Sequence, residues 1–215
     1  MKKHPSPRAG FTLIELLVVI SIIGILATLA PSAIKGALTS AERARSLNKA
    51  RNIGMALKQY ANDHDGAFPK GDSASDAFTK LLPPEPGSSG YISDKKQFFV
   101  KGSAYTRNSL GADTGDQRKL VPGENHWAFM SDLDDSGSGR WPLLFDGPAS
   151  ADGTYSRKAT EKGGVWEGKV AIVVRLDGSA NQETLSDDLK VRTDGQDNAL
   201  KPSETWATGG KIAMP

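Results

Sequence analysis

The pattern of apolar residues changes along the first third of the chain. From Phe11 to Ala30 most residues are apolar, and farther on apolar residues recur at three- and four-residue steps through Leu47, Ile53 and Tyr60. The first pattern has the length of a membrane helix, and the second is typical of an amphipathic helix. We expect the two patterns to form one continuous helix of about 50 residues, since both can be built on an α-helix of 3.6 residues per turn. Polar turn formers at residues 62–66 predict its end.

The stretch after the helix is rich in turn formers and short of apolar periodicity. Within the predicted loop region 63–124, residues 76–82 favour a short helix with Ser75 as its N-cap and Pro83 as its stop. Residues 93–99 predict another turn or two of helix.

Alternating and continuous apolar runs then predict a sheet over residues 125–185. The strand-like runs lie at residues 126–130, 141–145, 170–176 and 179–185. Asp177-Gly178 separates the last two, and this dipeptide is a strong hairpin signal. Three or four antiparallel strands packed on the second half of the helix would give an α+β fold. Residues 186–215 are expected to be a polar tail in which Trp206 is the only large apolar anchor, either wrapped on the head or mobile.

One acidic residue interrupts the apolar character of the N-terminal segment. A carboxylate such as that of Glu15 costs roughly 2.5–3.5 kcal/mol at hydrocarbon depth, so its presence there usually indicates a function. If the chain were cut after Gly10, the new α-amino group of Phe11 would lie four residues away, within one helical turn. The two charges could then pair in an apolar phase, within one chain or between neighbouring chains.

The residues from Gly10 to Glu15, behind a basic leader and ahead of the apolar run, resemble the prepilin signal of type IV pilins and type II secretion pseudopilins. The resemblance implies a leader, residues 1–10, that prepilin peptidase removes after Gly10, followed by methylation of Phe11. It also implies that Glu15 guides assembly and that residues 11–31 form the membrane-spanning and polymerisation half of the helix. Residues 32–185, with the rest of the helix at 32–62, would be a pilin-like head. The family tends to place its proline one position after Pro31.

The same resemblance implies partners and a location. The chain would polymerise with itself and with related minor pilins, after contact with membrane lipid and the inner-membrane assembly machinery. A basic leader stays on the cytoplasmic side, so the head would face outward from a bacterial inner membrane and later enter a periplasmic or surface filament. The sequence fits a surface pilus and a secretion pseudopilus equally. It also does not distinguish a major from a minor subunit.

Other interpretations of the N-terminal segment remain. A secretory signal peptide has a core of about 7–15 residues ending in a small-residue cleavage site, and it explains neither Glu15 nor Gly10. A plain single-span anchor fits the length, but it does not explain why the acid and the Gly-Phe junction occur together.

Gly24 and Pro31 either introduce flexibility that lets subunits slide or are tolerated in the helix without consequence.

The charge of the chain argues against nucleic acid as a partner. It has 27 basic and 25 acidic residues, and removal of Lys2, Lys3 and Arg8 with the leader leaves 24 basic residues. A nearly neutral mature chain lacks the basic face that nucleic-acid binding needs. The sequence has no cysteine, so disulfides cannot stabilise the head.

Residues 132–138 are the one candidate metal loop. Asp132, Asp134 and Ser136 supply oxygen at alternate positions with Gly137 sixth, as at the start of a calcium loop, but the twelfth position is Leu143 instead of glutamate. A full EF-hand is excluded; a looser calcium site and an ordinary turn remain.

The sequence predicts no enzyme and no cofactor. Its histidines, His4, His64 and His126, have no metal-ligand spacing, and the chain contains no nucleophile elbow and no phosphate loop. Two rival classes remain: a membrane-tethered, non-polymerising ligand-binding or minor-pilin-like module, and an exported enzyme, which would need a pocket with convergent titratable groups.

Overall fold

The computed structural model describes residues 11–106, 118–192, 197–201 and 210–215, and at residues 28–33 it describes the backbone alone. The chain divides into two compact units, residues 1–43 and residues 44–215. Each unit has its own pattern of burial.

A single helix, α1, covers Leu13–Asp63 and contributes to both units. It ends where the sequence predicts: the amide of Gly66 donates to the carbonyl of Ala61 over 2.8 Å, with Gly66 at φ 84°. Glycine adopts this left-handed conformation without a Cβ penalty and so closes the last turn. Within the described residues, no helix combines the length and the apolar character that crossing a membrane requires.

The two parts of α1 differ in exposure. In the first unit, the side chains from Phe11 to Ala27 are all exposed. In the second unit, Ala50, Ile53 and Leu57 are buried in the core of the head. The three- and four-residue spacing of these residues confirms the predicted amphipathic helix.

The head contains one antiparallel sheet of five strands, which confirms the predicted α+β class. The strands are β1 (Trp127–Ser131), β2 (Pro142–Asp146), β3 (Val170–Arg175), β4 (Ala180–Thr184) and β5 (Lys211–Ala213), in the order β4-β3-β2-β1-β5. The first four occur at the predicted positions. In the β3–β4 hairpin Val174 pairs with Ala180, and Gly178 has φ 85°, as the Asp-Gly signal predicts.

The fifth strand comes from the segment that we expected to be a polar tail. Ile212 of β5 pairs with Met130 of β1, and Val191 and Leu200 are buried in the head core. These apolar residues are scattered among polar ones, so the sequence shows no strand period there. Trp206, the expected anchor of the tail, lies outside the described residues.

The short helices lie near the predicted positions. Helix α2 covers Ala74–Thr79, so it begins and ends earlier than the expected residues 76–82, and its N-cap is Ser73, not Ser75. Ser73 is extended at φ −133°, and its hydroxyl oxygen accepts a hydrogen bond of 3.2 Å from the amide of Asp76. Ser75 lies inside the helix, where the amides that its hydroxyl could reach already donate to helix carbonyl groups. A 3-10 helix covers Lys95–Phe98, within the expected residues 93–99.

Helix α1 lies close to the sheet at Gly54. A Cβ atom placed on Gly54 would lie 2.8 Å from Cγ1 of Val174, which is 1 % exposed. The absence of a side chain at Gly54 therefore allows the helix to pack on β3.

Candidate functional site

The start of α1 carries the residues that the sequence singled out. The amide of Thr12 and its hydroxyl each donate to Oε2 of Glu15 over 2.8 Å. In return, the amide of Glu15 donates to Oγ1 of Thr12 over 3.3 Å. This reciprocal pair is a capping box, in which the side chain at the N-cap and the one three residues later satisfy helix amides that otherwise have no partner.

The sequence contains the signal for this cap, Thr-x-x-Glu, but we assigned Glu15 to charge pairing alone. The capping bonds use Oε2, and a carboxylate has further acceptor capacity at its other oxygen. Glu15 and Phe11 are both exposed, Phe11 by 82 %. The capping box therefore does not occupy the whole carboxylate.

The structure tests the other predicted positions only in part. Among the described residues, and apart from the adjoining residues and the helix backbone, no atom lies within 4 Å of a Cβ placed on Gly24. Gly10 and the side chain of Pro31 lie outside the described residues.

The head contains a buried chain of three polar side chains that sequence reasoning missed. Oγ of Ser103 lies 2.7 Å from Nδ1 of His126, and Nε2 of His126 lies 2.7 Å from Oδ1 of Asp146. The three residues are 5 %, 1 % and 0 % exposed, respectively. Because they come from a loop, the residue before β1 and the end of β2, no local sequence signal indicates that they meet.

The carboxylate of Asp146 has further partners. Its Oδ2 accepts hydrogen bonds of 2.7 Å from Nε1 of Trp166 and from the amide of Ile172. Nε2 of His126 must carry a proton to donate to a carboxylate, so in the neutral ring Nδ1 accepts the hydroxyl proton of Ser103. Every polar group of this chain is thereby satisfied, as buried polar groups require.

Ser103, His126 and Asp146 are the residue types of a serine hydrolase triad, but their surroundings are those of a structural link. A catalytic serine needs an oxygen that a substrate carbonyl can reach. Oγ of Ser103 is buried and also accepts the amide of Tyr105 over 3.1 Å. We interpret these three hydrogen-bonded side chains as a polar connection between a loop, β1 and β2.

The candidate calcium loop is arranged as a turn. The amide and hydroxyl of Ser136 both donate to Oδ1 of Asp134, over 3.0 and 2.5 Å. Asp132 accepts from the hydroxyl of Ser131. Across the described residues, no group of three or more His, Cys, Asp or Glu side chains is placed to hold a metal ion.

An open cleft of about 810 Å³ lies in the head beside the C-terminal end of α1. Tyr60 of α1 and His64, the residue after the helix, contribute stacked rings, with centroids 3.8 Å apart and planes 3° apart. The hydroxyl of Tyr91 donates to Oδ2 of Asp63 over 2.8 Å, and this bond raises the pKa of Tyr91. Lys80 and Arg118 also line the cleft. It combines an aromatic surface with groups of both charges.

The comparisons with known proteins bear on the N-terminal segment. The family model of the prokaryotic N-terminal methylation motif matches residues 5–31. No curated protein and no solved structure matches the chain. The chain therefore carries the prepilin signal of type IV pilins and pseudopilins, as the resemblance of residues 10–15 indicated.

Proposed function

We propose that this protein is a structural subunit of a type IV pilus or a type II secretion pseudopilus. Prepilin peptidase would cut the chain after Gly10, and the new terminal amine of Phe11 would be methylated. The mature subunit would then assemble into a helical filament through the apolar part of α1. The coarser statement, that the chain is a prepilin-type substrate, follows from the methylation motif.

The observation that carries the proposal is the coincidence of the motif with exposed apolar helix. The motif covers residues 5–31, and large apolar side chains from Leu13 to Leu26 are about half exposed or more. A continuous apolar surface of this kind marks a site of contact with protein or membrane. Lipid would cover it before assembly, and helices of neighbouring subunits would cover it afterwards.

Glu15 would set the alignment of neighbouring subunits. An unpaired charge in an apolar helix bundle is costly, and pairing with the α-amino group of Phe11 of an adjacent subunit relieves this cost. The capping box supports this role because it holds the carboxylate at the first turn of α1 through Thr12. The carboxylate is then positioned before a partner arrives.

The basic leader gives the proposed orientation. Lys2, Lys3 and Arg8 precede the apolar run, and basic residues remain on the cytoplasmic side of a membrane. The head would therefore lie outside the inner membrane, where the assembly machinery and related pilins would meet it. Gly24 and Pro31 would let the helix bend or stretch locally during assembly.

Intact-mass analysis of the native protein tests the proposal directly. The polypeptide isolated from bacterial membranes or sheared filaments should begin at Phe11 and carry one added methyl group. In cells that make the Gly10→Glu variant, the unprocessed chain should accumulate, because the side chain would obstruct the cut site. A native polypeptide that begins at Met1, or a Gly10→Glu variant of mature size, would overturn the proposed processing.

Filament formation needs its own measurement. Electron microscopy of sheared surface material, or of periplasmic material from cells that overproduce the chain, should show ordered fibres that antibodies to the head label. Crosslinking in membranes that yields only monomer, together with unlabelled fibres, would favour the membrane-tethered module instead.

A further inference from the structure

We infer that the cleft beside the end of α1 binds an acidic saccharide, meaning a sugar ring that carries a carboxylate. This inference concerns the head alone and does not depend on cleavage or polymerisation. The volume of the cleft, about 810 Å³, lies within the range of about 300–1,000 Å³ that is typical of small-molecule sites.

The cleft is held in shape by bonds outside the binding surface. The loop that carries Gly90 and Tyr91 folds back on the segment after α2, and the amide of Ile92 donates to the carbonyl of Leu81 over 2.9 Å. A Cβ atom on Gly90 would lie 2.5 Å from the nitrogen of Pro83, so only glycine permits this approach. The loop is therefore positioned without a ligand.

A second connection holds the backbone near the two basic residues of the lining. Oγ1 of Thr79 donates to the carbonyl of Ser75 over 2.9 Å and accepts the amide of Leu120 over 3.2 Å. This bond ties the end of α2, next to Lys80, to the segment that contains Arg118. A site whose parts are already ordered loses little conformational entropy when it binds.

The aromatic residues supply an apolar surface for a sugar ring. His64 stacks on Tyr60, and Tyr91 meets Tyr60 edge-on with centroids 5.5 Å apart. Tyr60 and Tyr91 are half-buried and His64 is exposed. One side of a pyranose presents mainly C–H groups, which pack on aromatic rings as other apolar groups do.

The polar groups supply both donors and acceptors for hydroxyl groups. Nδ1 of His64 lies 2.7 Å from the carbonyl of Tyr60, which can only accept, so Nδ1 carries a proton. In the neutral ring Nε2 is then an acceptor. Asp63 is held by Tyr91, and its carboxylate keeps further acceptor capacity. Sugar hydroxyls both donate and accept, and this mixture matches them.

The charge of the lining selects an acid. Lys80 and Arg118 are basic residues of the lining, and Asp63 is an acidic one. Within the described part of the chain, the ammonium group of exposed Lys80 forms no ion pair. A ligand carboxylate would supply that partner through a charge-assisted hydrogen bond.

The test uses the full-length chain in detergent micelles and NMR titration with D-glucuronate and D-glucose as probes. Glucuronate should bind at least about tenfold more tightly than glucose, the difference expected from one charge-assisted hydrogen bond. Lys80→Gln should weaken glucuronate binding about tenfold and leave glucose binding unchanged. His64→Ala should weaken the binding of both sugars, because it removes part of the aromatic surface. The matched control is Lys101→Gln, an exposed lysine outside the cleft, which should change neither affinity.

Several results would overturn the inference. Absence of glucuronate binding, equal affinity for the two sugars, or equal losses in the Lys80 and Lys101 variants would each do so. An acidic tetrapeptide that binds more tightly than glucuronate would assign the cleft to peptides instead. None of these outcomes bears on processing at Gly10, so the inference and the proposed function can fail separately.

Discussion

Thr12 and Glu15 exchange hydrogen bonds across the first turn of α1, with the backbone amide and the hydroxyl of Thr12 both 2.8 Å from Oε2 of Glu15. The carboxylate therefore has a local role in starting the helix and, in the proposed filament, a second role as the partner of an amine. The two roles differ chemically, because a neutral amide can cap a helix and cannot neutralise a charge.

Glu15→Gln separates these roles. Glutamine retains an oxygen for the capping box but has no charge for the amine of Phe11 in a neighbouring subunit. We expect the variant to be inserted and processed like the wild type, yet to form few filaments, and Glu15→Leu to behave in the same way. The measurement is the filament yield in sheared fractions relative to the amount of processed protein in membranes.

Thr12→Ser is the matched control, since serine keeps the capping hydroxyl and leaves the charge of Glu15 in place. Its filament yield should equal that of the wild type. If Glu15→Gln also assembles normally, capping alone explains the residue and the charge-pairing mechanism is wrong.

Asp146→Asn should destabilise the head by about 1.5–3 kcal/mol, the usual value of a hydrogen bond to a charged group. An asparagine side chain has one acceptor oxygen in place of two, so it cannot accept all the hydrogen bonds that His126, Trp166 and Ile172 donate. Denaturant unfolding followed by tryptophan fluorescence measures the loss. Asp187→Asn, at an exposed carboxylate, should shift the free energy of unfolding by less than about 0.5 kcal/mol. Equal stability of the two variants would show that the buried chain is not a structural link.

Gly54→Ala should destabilise the head by about 1–3 kcal/mol although alanine favours helices, because its Cβ would overlap Val174. Gly36→Ala is the control, since a Cβ placed there meets no other part of the described structure within 4 Å beyond the adjoining residues and the helix backbone, and it should not lower the unfolding midpoint. Addition of Val174→Ala makes room, so the double variant should lose less than the sum of the single losses. Strict additivity would mean that the two residues are not in contact.

The stability of the head should fall at alkaline pH. Burial raises the pKa of Tyr105 to about 12, whereas an unfolded tyrosine titrates near 10. Its contribution is complete below about pH 10 and is lost as pH rises toward about 12, because the unfolded chain then releases the proton first. Burial raises the pKa of Tyr155 as well, so it acts with the same sign.

Two titrations check this prediction. Phenolate absorbance of the folded chain should keep rising toward about pH 12, where the buried Tyr105 ionises. The unfolding midpoint should fall less steeply with pH in Tyr105→Phe than in the wild type. Ionisation of Tyr105 near pH 10 in the folded chain, seen as the difference between the wild type and Tyr105→Phe, would contradict the predicted dependence.

Local patterns were sufficient for much of the fold. The three- and four-residue spacing of Ala50, Ile53 and Leu57 predicts which side of α1 is buried, and Asp177-Gly178 predicts the β3–β4 hairpin. Both features depend on residues that are close in sequence. The prepilin signal belongs to the same class, since the proposed cut site and the carboxylate lie within six residues.

Predictions were incomplete where the partner of a residue is distant or where two local signals compete. Ser73 and Ser75 are both plausible caps, and only the extended backbone at Ser73 distinguishes them. Strand β5 is only three residues long and forms because β1 offers it a free edge, which no pattern in residues 186–215 indicates. Sequence reasoning also missed the local cap at Thr12, since a charge in an apolar run suggested pairing alone.

By itself, the sequence determined the helix, the first four strands and the N-terminal processing signal, because hydrophobic periodicity and short motifs act over a few residues. Only the tertiary structure brought Ser103, His126 and Asp146 together and placed Tyr91 beside Tyr60. Such groupings depend on how the elements pack and on where loops return. These are properties of the whole core, and no single stretch of chain encodes them.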